Sequence, residues 1–275
     1  PAEESMSKFP GMWVAESGNL AYRVLPKCAC STIGQIIYYG DNGAYFDGDI
    51  HDANDGLLKW DQDHNHDRIR AAVEDDGAYT FTCVRNPYSR ILSAFFDKVC
   101  GIQRNGKRYR GNLVPMLTKR YGVEVEGDFD QIKSFRRFLL FVRDTVRFRK
   151  PMYPDIHWIS MANHVGYSIK NGCKFDYIFP TEGFNDGMKN VLKKSPLVNE
   201  VDVDAMPRFN ESEGHGPKRA HPVEEYFDDL AIYIMHDIYK KDFQLFKYDR
   251  EPGKGAPRKE IDPAEVHARL TKKNG

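Results

Sequence analysis

Apolar residues follow two alternating periods in the first third of the chain. Residues 20–25 and 79–84 are short runs rich in apolar and β-branched residues, which predicts two buried strands. Residues 31–39 and 87–100 come soon after them and carry apolar positions at helical spacing, and Pro87 suits a first helical turn. Each strand is therefore predicted to lead through a short loop into a helix, which is the unit from which parallel sheets are built.

The rest of the chain repeats this alternation less regularly. Residues 41–63, rich in Asp, Gly and Asn, predict a long loop, and long loops inside compact domains are often functional. The apolar spacing predicts a strand over 175–179 and helices over 64–74, 134–146, 184–194 and 222–241. This order predicts a mostly parallel sheet with helices on both faces. Residues 250–275 are polar, and we expect a mobile or loosely docked C-terminal tail.

The composition excludes several classes of protein. Of the 275 residues, 41% are hydrophobic and 13% aromatic, which is enough for a sizeable core and excludes wholesale disorder. The 40 Lys and Arg residues balance the 40 Asp and Glu residues, so the basic excess of a generic nucleic-acid or membrane-surface binder is missing. No apolar run approaches the roughly 20 residues that span a bilayer, and the N-terminal residues form no hydrophobic signal region. The five cysteines follow neither CxxC nor zinc spacing, so we expect free thiols and no metal.

The charges are unevenly distributed along the chain. Residues 41–80 are strongly acidic, and residues 101–150 are strongly basic. Such runs are usually solvated helix faces. The alternative is that the basic run forms a positively charged surface that binds an anionic ligand. In that interpretation, residues 104–110 contact an acidic sugar polymer. Both interpretations stay open.

The first strand–helix junction has the features of a phosphate-binding loop. Lys27 begins a loop of mostly small residues, so backbone N–H groups can approach an anion. The N-terminus of the following helix adds unpaired donors and a favourable dipole. The glycines of a GxxxxGK[ST] loop are absent. The alternative is an ordinary strand–helix turn that Ser31 or Thr32 caps.

The second junction carries an arginine where ligands commonly bind. Arg85 follows the carboxyl end of the strand at 79–84, and open α/β sheets bind ligands at that end. Ser89 and Ser93 lie four residues apart on one face of the next helix, with Arg90 beside them. An arginine with a hydroxyl group suits a second phosphate. The alternative assigns Arg85 to an ion pair and Ser93 to helix packing.

Together the two junctions resemble the sulfotransferases that use 3′-phosphoadenosine 5′-phosphosulfate (PAPS). The resemblance is to the carbohydrate group that includes the chondroitin 4-O-sulfotransferases, and more distantly to the heparan 2-O-sulfotransferases. Residues 26–32 match the family's PK-x-x-x-[ST] segment, which binds the 5′-phosphosulfate, and residues 84–94 match its VR-x-P-x-x-R-x-x-SA segment, which binds the 3′-phosphate. The likeness covers residues 20–249, with supporting matches at 155–158, 175–184, 208–212 and 239–246.

The resemblance implies a fold, an activity and a donor. The fold is α/β, a P-loop-like three-layer sandwich with a central, mostly parallel sheet flanked by helices, in one sulfotransferase domain over residues 1–249. The activity is transfer of a sulfuryl group from PAPS to a hydroxyl of a carbohydrate-type acceptor, which leaves adenosine 3′,5′-bisphosphate. The implied nucleotide-binding residues are Lys27, Cys28, Ala29, Cys30, Ser31, Thr32, Arg85, Ser93, Arg208 and Ser212.

Golgi members of this family begin with a membrane anchor and a lumenal stem. We expect this chain to be a soluble, cytoplasmic relative of bacterial type that has no membrane segment and does not bind nucleic acid. The alternative is a Golgi-lumenal catalytic domain with its anchor removed.

Catalysis needs a group that stabilises the leaving phosphate and a base for the acceptor hydroxyl. The resemblance assigns the first role to Lys27 and the loop amides. His51 is the expected base, because it lies in the loop in which the heparan-type relatives place a catalytic histidine, and imidazole suits proton transfer near neutral pH. His157, next to Trp158, is the rival base or a residue that orients the substrate.

Two other classes of function stay open. A P-loop nucleotide kinase or NTPase shares the strand–loop–helix architecture, but the sequence has neither a Walker A glycine pair nor an acidic strand end for magnesium. A non-catalytic nucleotide- or glycan-binding module is the third class, and the presence of Lys27, His51, Arg85 and Ser93 argues against it. The sequence does not predict the acceptor or the oligomeric state.

Overall fold

The structure of the protein is a computed structural model that describes residues 9–74, 77–101, 113–207, 209 and 218–272. In chain order, the strands among these residues are β1 (Met12–Val14), β2 (Leu20–Arg23), β3 (Leu58–Lys59), β4 (Tyr79–Val84) and β5 (Tyr177–Pro180). The helices are α1 (Cys30–Asn42), α2 (His66–Glu74), α3 (Pro87–Lys98), α4 (Leu113–Met116), α5 (Gln131–Phe148), α6 (Met161–Lys170), α7 (Phe184–Lys194), α8 (Asp229–Ile238), α9 (Lys240–Leu245) and α10 (Pro263–Thr271). A π-helical turn, Leu117–Tyr121, continues α4, and short 3₁₀ turns cover Ile50–Asp52, Asp63–Asn65, Thr181–Gly183 and Val223–Tyr226.

The chain forms two compact units, and each is assembled from separate segments. Of the described residues, those within 1–85, 161–210 and 259–275 belong to the first unit, and those within 86–160 and 211–258 belong to the second. The first unit holds the sheet, whereas the second is built from helices. A single domain over residues 1–249 stays a prediction.

The sheet of the first unit is mixed. Its strand order is β3-β1-β2-β4-β5, with β2, β4 and β5 parallel to one another and β1 antiparallel to both of its neighbours. The expectation of a mostly parallel sheet therefore holds only on the β2-β4-β5 side. The physical reason is the tight turn after β1, in which Gly18 adopts a φ of 76° and donates its N–H to the Ala15 carbonyl. So short a connection joins antiparallel strands.

Helices cover both faces of this sheet, as the alternation of elements predicted. Successive strand residues point to opposite faces. Residues of one face share a buried cluster with α1 and α7: Trp13, Leu20, Tyr22, Phe81 and Phe179 with Ile33, Ile36, Ile37, Met188 and Val191. Residues of the other face share a buried cluster with α2: Met12, Val14 and Ala21 with Ile69 and Val73. The apolar side chains on both sides of the sheet explain why its strands are almost wholly buried.

The second unit packs α3, α5 and α8 around aromatic rings. Phe95 and Phe135 contact at 5.6 Å between ring centroids, and Phe135 contacts Phe227 at 5.1 Å. Trp158 is fully buried against Phe138, and the Tyr239 hydroxyl donates to its carbonyl at 2.8 Å. This core explains the apolar periodicity that predicted α3 and α5.

The arginines of α5 form ion pairs with carboxylates of the same unit. Arg136 pairs with Asp228 at 3.2 Å, and Arg147 pairs with Asp237. The described part of the basic run therefore agrees with a solvated helix face. Residues 104–110 lie outside the described residues.

One predicted helix is wrong. The spacing predicted a single helix over 222–241, but a 3₁₀ turn at Val223–Tyr226 is followed by an extended residue, Phe227, before α8 begins. The cause is a strong helix start, because Asp228 is the N-cap of α8 and its side chain accepts the Ala231 N–H at 2.9 Å. Apolar spacing continues across this boundary and therefore does not reveal it.

Described residues of the C-terminal tail contact other residues of their own units, and the mobile or loosely docked character of the tail stays a prediction. Helix α10 follows Ile261, which is buried, and it buries Val266. A β-carbon at Gly166 of α6 would lie 3.6 Å from Leu270 of α10, so the two helices approach closely. In the second unit, Asn86 donates to the Lys254 carbonyl at 2.5 Å. No helix in the described part of the chain has both the length and the apolar character needed to cross a bilayer.

Candidate active site

The loop after β2 holds two non-glycine residues in the left-handed region. Lys27 has a φ of 68° and Ala29 a φ of 59°. This conformation costs on the order of 1–3 kcal/mol per residue, and it persists only when the surrounding structure enforces it. The surrounding structure therefore fixes the backbone of this loop in a left-handed conformation, although the loop lacks the glycines that usually adopt it.

The backbone donors at the start of α1 follow directly from this loop. Ala29 is the N-cap and provides no side-chain cap, and the first helical hydrogen bond runs from the Ile33 N–H to the Ala29 carbonyl at 3.0 Å. The alternative of a turn capped by Ser31 or Thr32 is therefore wrong, because both lie inside the first helical turn. That turn also contains no acidic residue. Uncapped N–H groups at a helix N-terminus favour an anion.

Arg85 lies at this loop. Strands β2 and β4 are parallel neighbours, so their carboxyl ends lie side by side. The Arg85 guanidinium donates to the Lys27 carbonyl at 3.2 Å, and its backbone N–H donates to the Met161 sulfur at 3.5 Å. Its described partners are thus a main-chain carbonyl and a thioether rather than the carboxylate of the alternative interpretation. Arg85 helps to hold Lys27 in its left-handed conformation.

His51 also lies against the loop, 20 residues after Ser31 in sequence. Its Nε2 atom is 3.3 Å from the Ser31 hydroxyl and 3.7 Å from the Cys30 sulfur. The side chain is exposed to solvent. The structure therefore brings together Lys27, the following loop residues, Arg85 and His51.

The loop that carries His51 is attached to α1 by a buried glutamine. The Gln35 amide donates to the Phe46 carbonyl at 3.0 Å and accepts the Phe46 N–H at 2.9 Å. Farther along, the loop forms the turn Ile50–Asp52, whose N-cap Asp49 accepts the His51 N–H at 3.1 Å. The long loop predicted over 41–63 thus contains a 3₁₀ turn and strand β3.

Sequence reasoning missed two residues that touch His51. The Trp13 ring meets the His51 ring edge to face, with 5.1 Å between centroids. The Lys59 ammonium donates to the His51 carbonyl at 2.8 Å. Both belong to strands of three residues or fewer, β1 and β3, which are too short for a periodic signal.

Cys30 has an unusual electrostatic environment for a cysteine of this chain. Burial raises its pKa, but the hydrogen bond to His51 and the charges of His51 and Lys27 outweigh burial, so the pKa lies below its ordinary value. Burial instead raises the pKa of Cys83, and it raises that of Cys173 to about 12. The surroundings of Cys30 therefore favour its thiolate, in contrast to those of Cys83 and Cys173.

We expect iodoacetamide to alkylate Cys30 first in the native protein near neutral pH. Because its pKa is lowered, the thiolate forms at lower pH than for an unperturbed thiol, whose pKa is about 8.5. Peptide mass spectrometry over a pH series measures this directly. Cys28, two residues away but buried against the Met161 sulfur, is the matched control. Equal labelling of both cysteines would contradict the electrostatic description.

His157 is held in the second unit by a buried carboxylate. Its Nδ1 atom lies 2.5 Å from the Asp155 carboxylate, which also accepts the His157 N–H at 2.9 Å. Asp155 is only 3% exposed. Such a carboxylate fixes the ring orientation and favours the tautomer with Nδ1 protonated. His157 therefore remains a well-built rival base.

The other predicted site residues are less informative. Ser93 lies on α3 in the second unit and is half-buried. The nearby Arg90 is buried and donates to the Ile159 carbonyl at 2.8 Å, so it supports packing within that unit. Arg208 and Ser212 lie outside the described residues. Among the residues that the structure describes, no group of three or more His, Cys, Asp or Glu is arranged to hold a metal ion.

Comparisons with known proteins agree with the two motifs. A family model described as the sulfotransferase family matches residues 10–249. Carbohydrate sulfotransferase 10 of Xenopus laevis is 25% identical over 186 residues, which is 63% of this chain and 48% of that protein. Carbohydrate sulfotransferase 8 of Homo sapiens is 25% identical over 173 residues, or 61% of this chain and 38% of that protein. The match thus covers less than half of each relative. No solved structure gives a significant match.

The family model matches most of the chain, and this extent is enough to assign the chain to a family. The matched residues include both phosphate-type junctions, the loop of His51 and the segment of His157. The resemblance to carbohydrate sulfotransferases that the motifs carried is confirmed by the relatives as well as by the family model. From Pro10 to Asp249, this chain is a member of the sulfotransferase family.

Proposed function

We propose that the chain transfers a sulfuryl group from PAPS to a hydroxyl group of a carbohydrate acceptor. The observation that carries this proposal is the position of His51 beside the uncapped loop that begins at Lys27. The names of the carbohydrate sulfotransferases to which the chain is similar support a sugar acceptor. We retain the P-loop-like three-layer sandwich as the proposed description of the fold.

The residues at the loop suit a nucleotide with phosphate groups at both ends of its ribose. Two cations, Lys27 and Arg85, lie at an α1 N-terminus that has no acidic residue and no side-chain cap. Backbone donors with nearby cations bind dianionic groups well. PAPS, when bound, supplies the sulfuryl group that is transferred.

Lys27 and the backbone N–H groups at the start of α1 stabilise the 5′-phosphate. Negative charge grows on this group during transfer, because it is the leaving group. Donors that are already aimed at the developing charge need no reorganisation as it forms. In this proposal, the left-handed conformations of Lys27 and Ala29 hold the backbone donors of the loop in place before the substrate binds.

His51 accepts the proton of the acceptor hydroxyl. Its Nε2 atom faces Ser31, at the helix end that holds the leaving phosphate. The exposed position of the ring leaves room for a large, soluble acceptor. His157 is the second candidate for this role, since Asp155 orients its ring.

Arg85 and Ser93 recognise the 3′-phosphate in this proposal. Arg85 has a second role, because one of its donors organises the Lys27 carbonyl. Substitution of Arg85 is therefore expected to affect the loop as well as the 3′-phosphate. The assignments of Ser93, Arg208 and Ser212 to the nucleotide stay predictions from the motifs.

The test of the proposal is binding followed by transfer. Isothermal titration with adenosine 3′,5′-bisphosphate, AMP and ATP with magnesium measures nucleotide preference, and labelled sulfate from PAPS is then offered to a panel of glycans. Preferential binding of the bisphosphate, with label in a glycan, is the expected result. Preference for ATP with magnesium, without regard to the 3′-phosphate, would overturn the proposal in favour of a kinase.

Arg85→Ala is expected to weaken binding of the bisphosphate by roughly tenfold to a hundredfold, because a hydrogen bond to a charged group contributes about 1.5–3 kcal/mol. AMP lacks the 3′-phosphate, so its affinity should change less. Titration of both nucleotides with both proteins measures the difference. Arg143→Ala is the matched control, because Arg143 pairs with Asp144 on its own helix. An equal loss for both nucleotides would restrict Arg85 to its role in the loop.

A further inference from the structure

We propose that Lys59 is a positioning residue that fixes His51 for proton transfer. This inference rests on the proposed function, because it assumes that His51 is the base. Lys59 acts through the main chain of His51, since its ammonium donates to the His51 carbonyl at 2.8 Å.

The burial of Lys59 is what makes this contact informative. Lysine is rarely fully buried, yet Lys59 is only 2% exposed. Burial lowers its pKa, although the negative charges of Asp61 and Asp52 oppose this effect. A buried ammonium is destabilising unless it is well partnered. An apolar residue would fill a core-facing strand position without that cost, so the lysine points to a role other than packing.

The main chain of Lys59 is itself held firmly. It forms strand β3 with Leu58 and is the register partner of Trp13 in β1. Its carbonyl accepts the Gln62 N–H at 3.1 Å and the Asn65 amide at 3.4 Å. The ammonium is therefore attached to the edge of the sheet rather than to a free loop.

The same sheet edge also supports the ring of His51. Trp13, opposite Lys59, meets the His51 ring edge to face. On the other side, a β-carbon at Gly34 of α1 would lie 2.5 Å from Trp13 and 3.0 Å from Ile50. Trp13 and the turn of His51 thus pack closely against α1. Lys59 fixes the backbone of that turn, and Trp13 fixes the direction of the ring.

Lys59→Met tests this role because methionine keeps an unbranched apolar stem and removes the donor. We expect kcat for sulfuryl transfer to fall by roughly tenfold to a hundredfold, since a misplacement of about 1 Å costs on that order. The Kd for adenosine 3′,5′-bisphosphate should not change. In a His51→Ala background, Lys59→Met should cause no further loss, because the two residues act as one unit. Lys193→Met, at an exposed position of α7, is the matched control.

A second readout does not depend on turnover. The ring Cε1–Hε1 signal of His51 is assigned in an NMR spectrum by its absence from His51→Ala. In Lys59→Met we expect this signal to move toward that of the exposed His64. Lys59→Gln, which keeps a side-chain donor on a shorter stem, is the second variant for both readouts if Lys59→Met does not fold.

The outcomes separate this inference from the proposed function. If His51→Ala keeps full turnover, the base assignment fails, and the NMR signal alone then decides whether Lys59 holds His51. An unchanged His51 signal overturns the inference. So does a loss of kcat from Lys59→Met that is equally large with and without His51.

Discussion

Lys27→Met is expected to lower kcat for sulfuryl transfer by about 10²–10³-fold, which is the usual effect of removing one group that stabilises developing negative charge. The affinity for adenosine 3′,5′-bisphosphate should fall much less, because the loop amides and Arg85 remain. The reason for the difference is that the charge on the 5′-phosphate is greatest during transfer. Single-turnover transfer of labelled sulfate and titration of the bisphosphate measure the two quantities separately.

The controls for Lys27 follow from the geometry of its loop. Lys27→Arg keeps the positive charge and should retain more turnover than Lys27→Met, although a guanidinium does not reproduce the point charge of an ammonium. Lys27 has a positive φ, so circular dichroism and thermal unfolding must show that the loop variants fold. A fall in bisphosphate affinity equal to the fall in kcat/KM would make Lys27 a binding residue only. Unchanged turnover would remove the loop from the active site.

The structure shows which parts of the fold follow from local sequence. Strand β4 and helix α7 have the predicted bounds, because buried apolar runs and helical spacing are local properties. Strands β1 and β3 escaped prediction, because two or three residues carry no period. Their effect on the fold is large, since β1 reverses the strand direction at one side of the sheet.

In the candidate site, too, only features formed by residues that are adjacent in sequence could be predicted. The loop at Lys27 and the junction at Arg85 could be singled out from the sequence because the residues of each are contiguous. A catalytic role for His51 was expected from the family, but its position beside Ser31 was not predicted, since a long loop must fold back to produce it. Lys59 and Trp13 were missed because their roles depend on strand pairing between distant residues. Side chains that support a site from another strand need the tertiary structure to be recognised.

His51→Ala is expected to lower kcat by about 10²–10⁴-fold, the usual contribution of general base catalysis, with little change in bisphosphate affinity. Because the His51 ring is exposed, added imidazole can enter the vacated space and should restore part of the activity. The measurement is initial rate against imidazole concentration. His64→Ala, at another exposed histidine of the same unit, should behave as the wild type in both respects.

The parallel variant His157→Ala decides between the two candidate bases. The His157 side chain is only 12% exposed and contacts the buried Asp155, so its removal leaves a carboxylate without that partner. We therefore expect His157→Ala to lower the free energy of unfolding by about 1–3 kcal/mol. We also expect that added imidazole does not restore its activity. If His157→Ala instead loses turnover with its stability and nucleotide affinity intact, while His51→Ala stays active, the proton acceptor is His157. The loop of His51 would then serve only to surround the leaving phosphate.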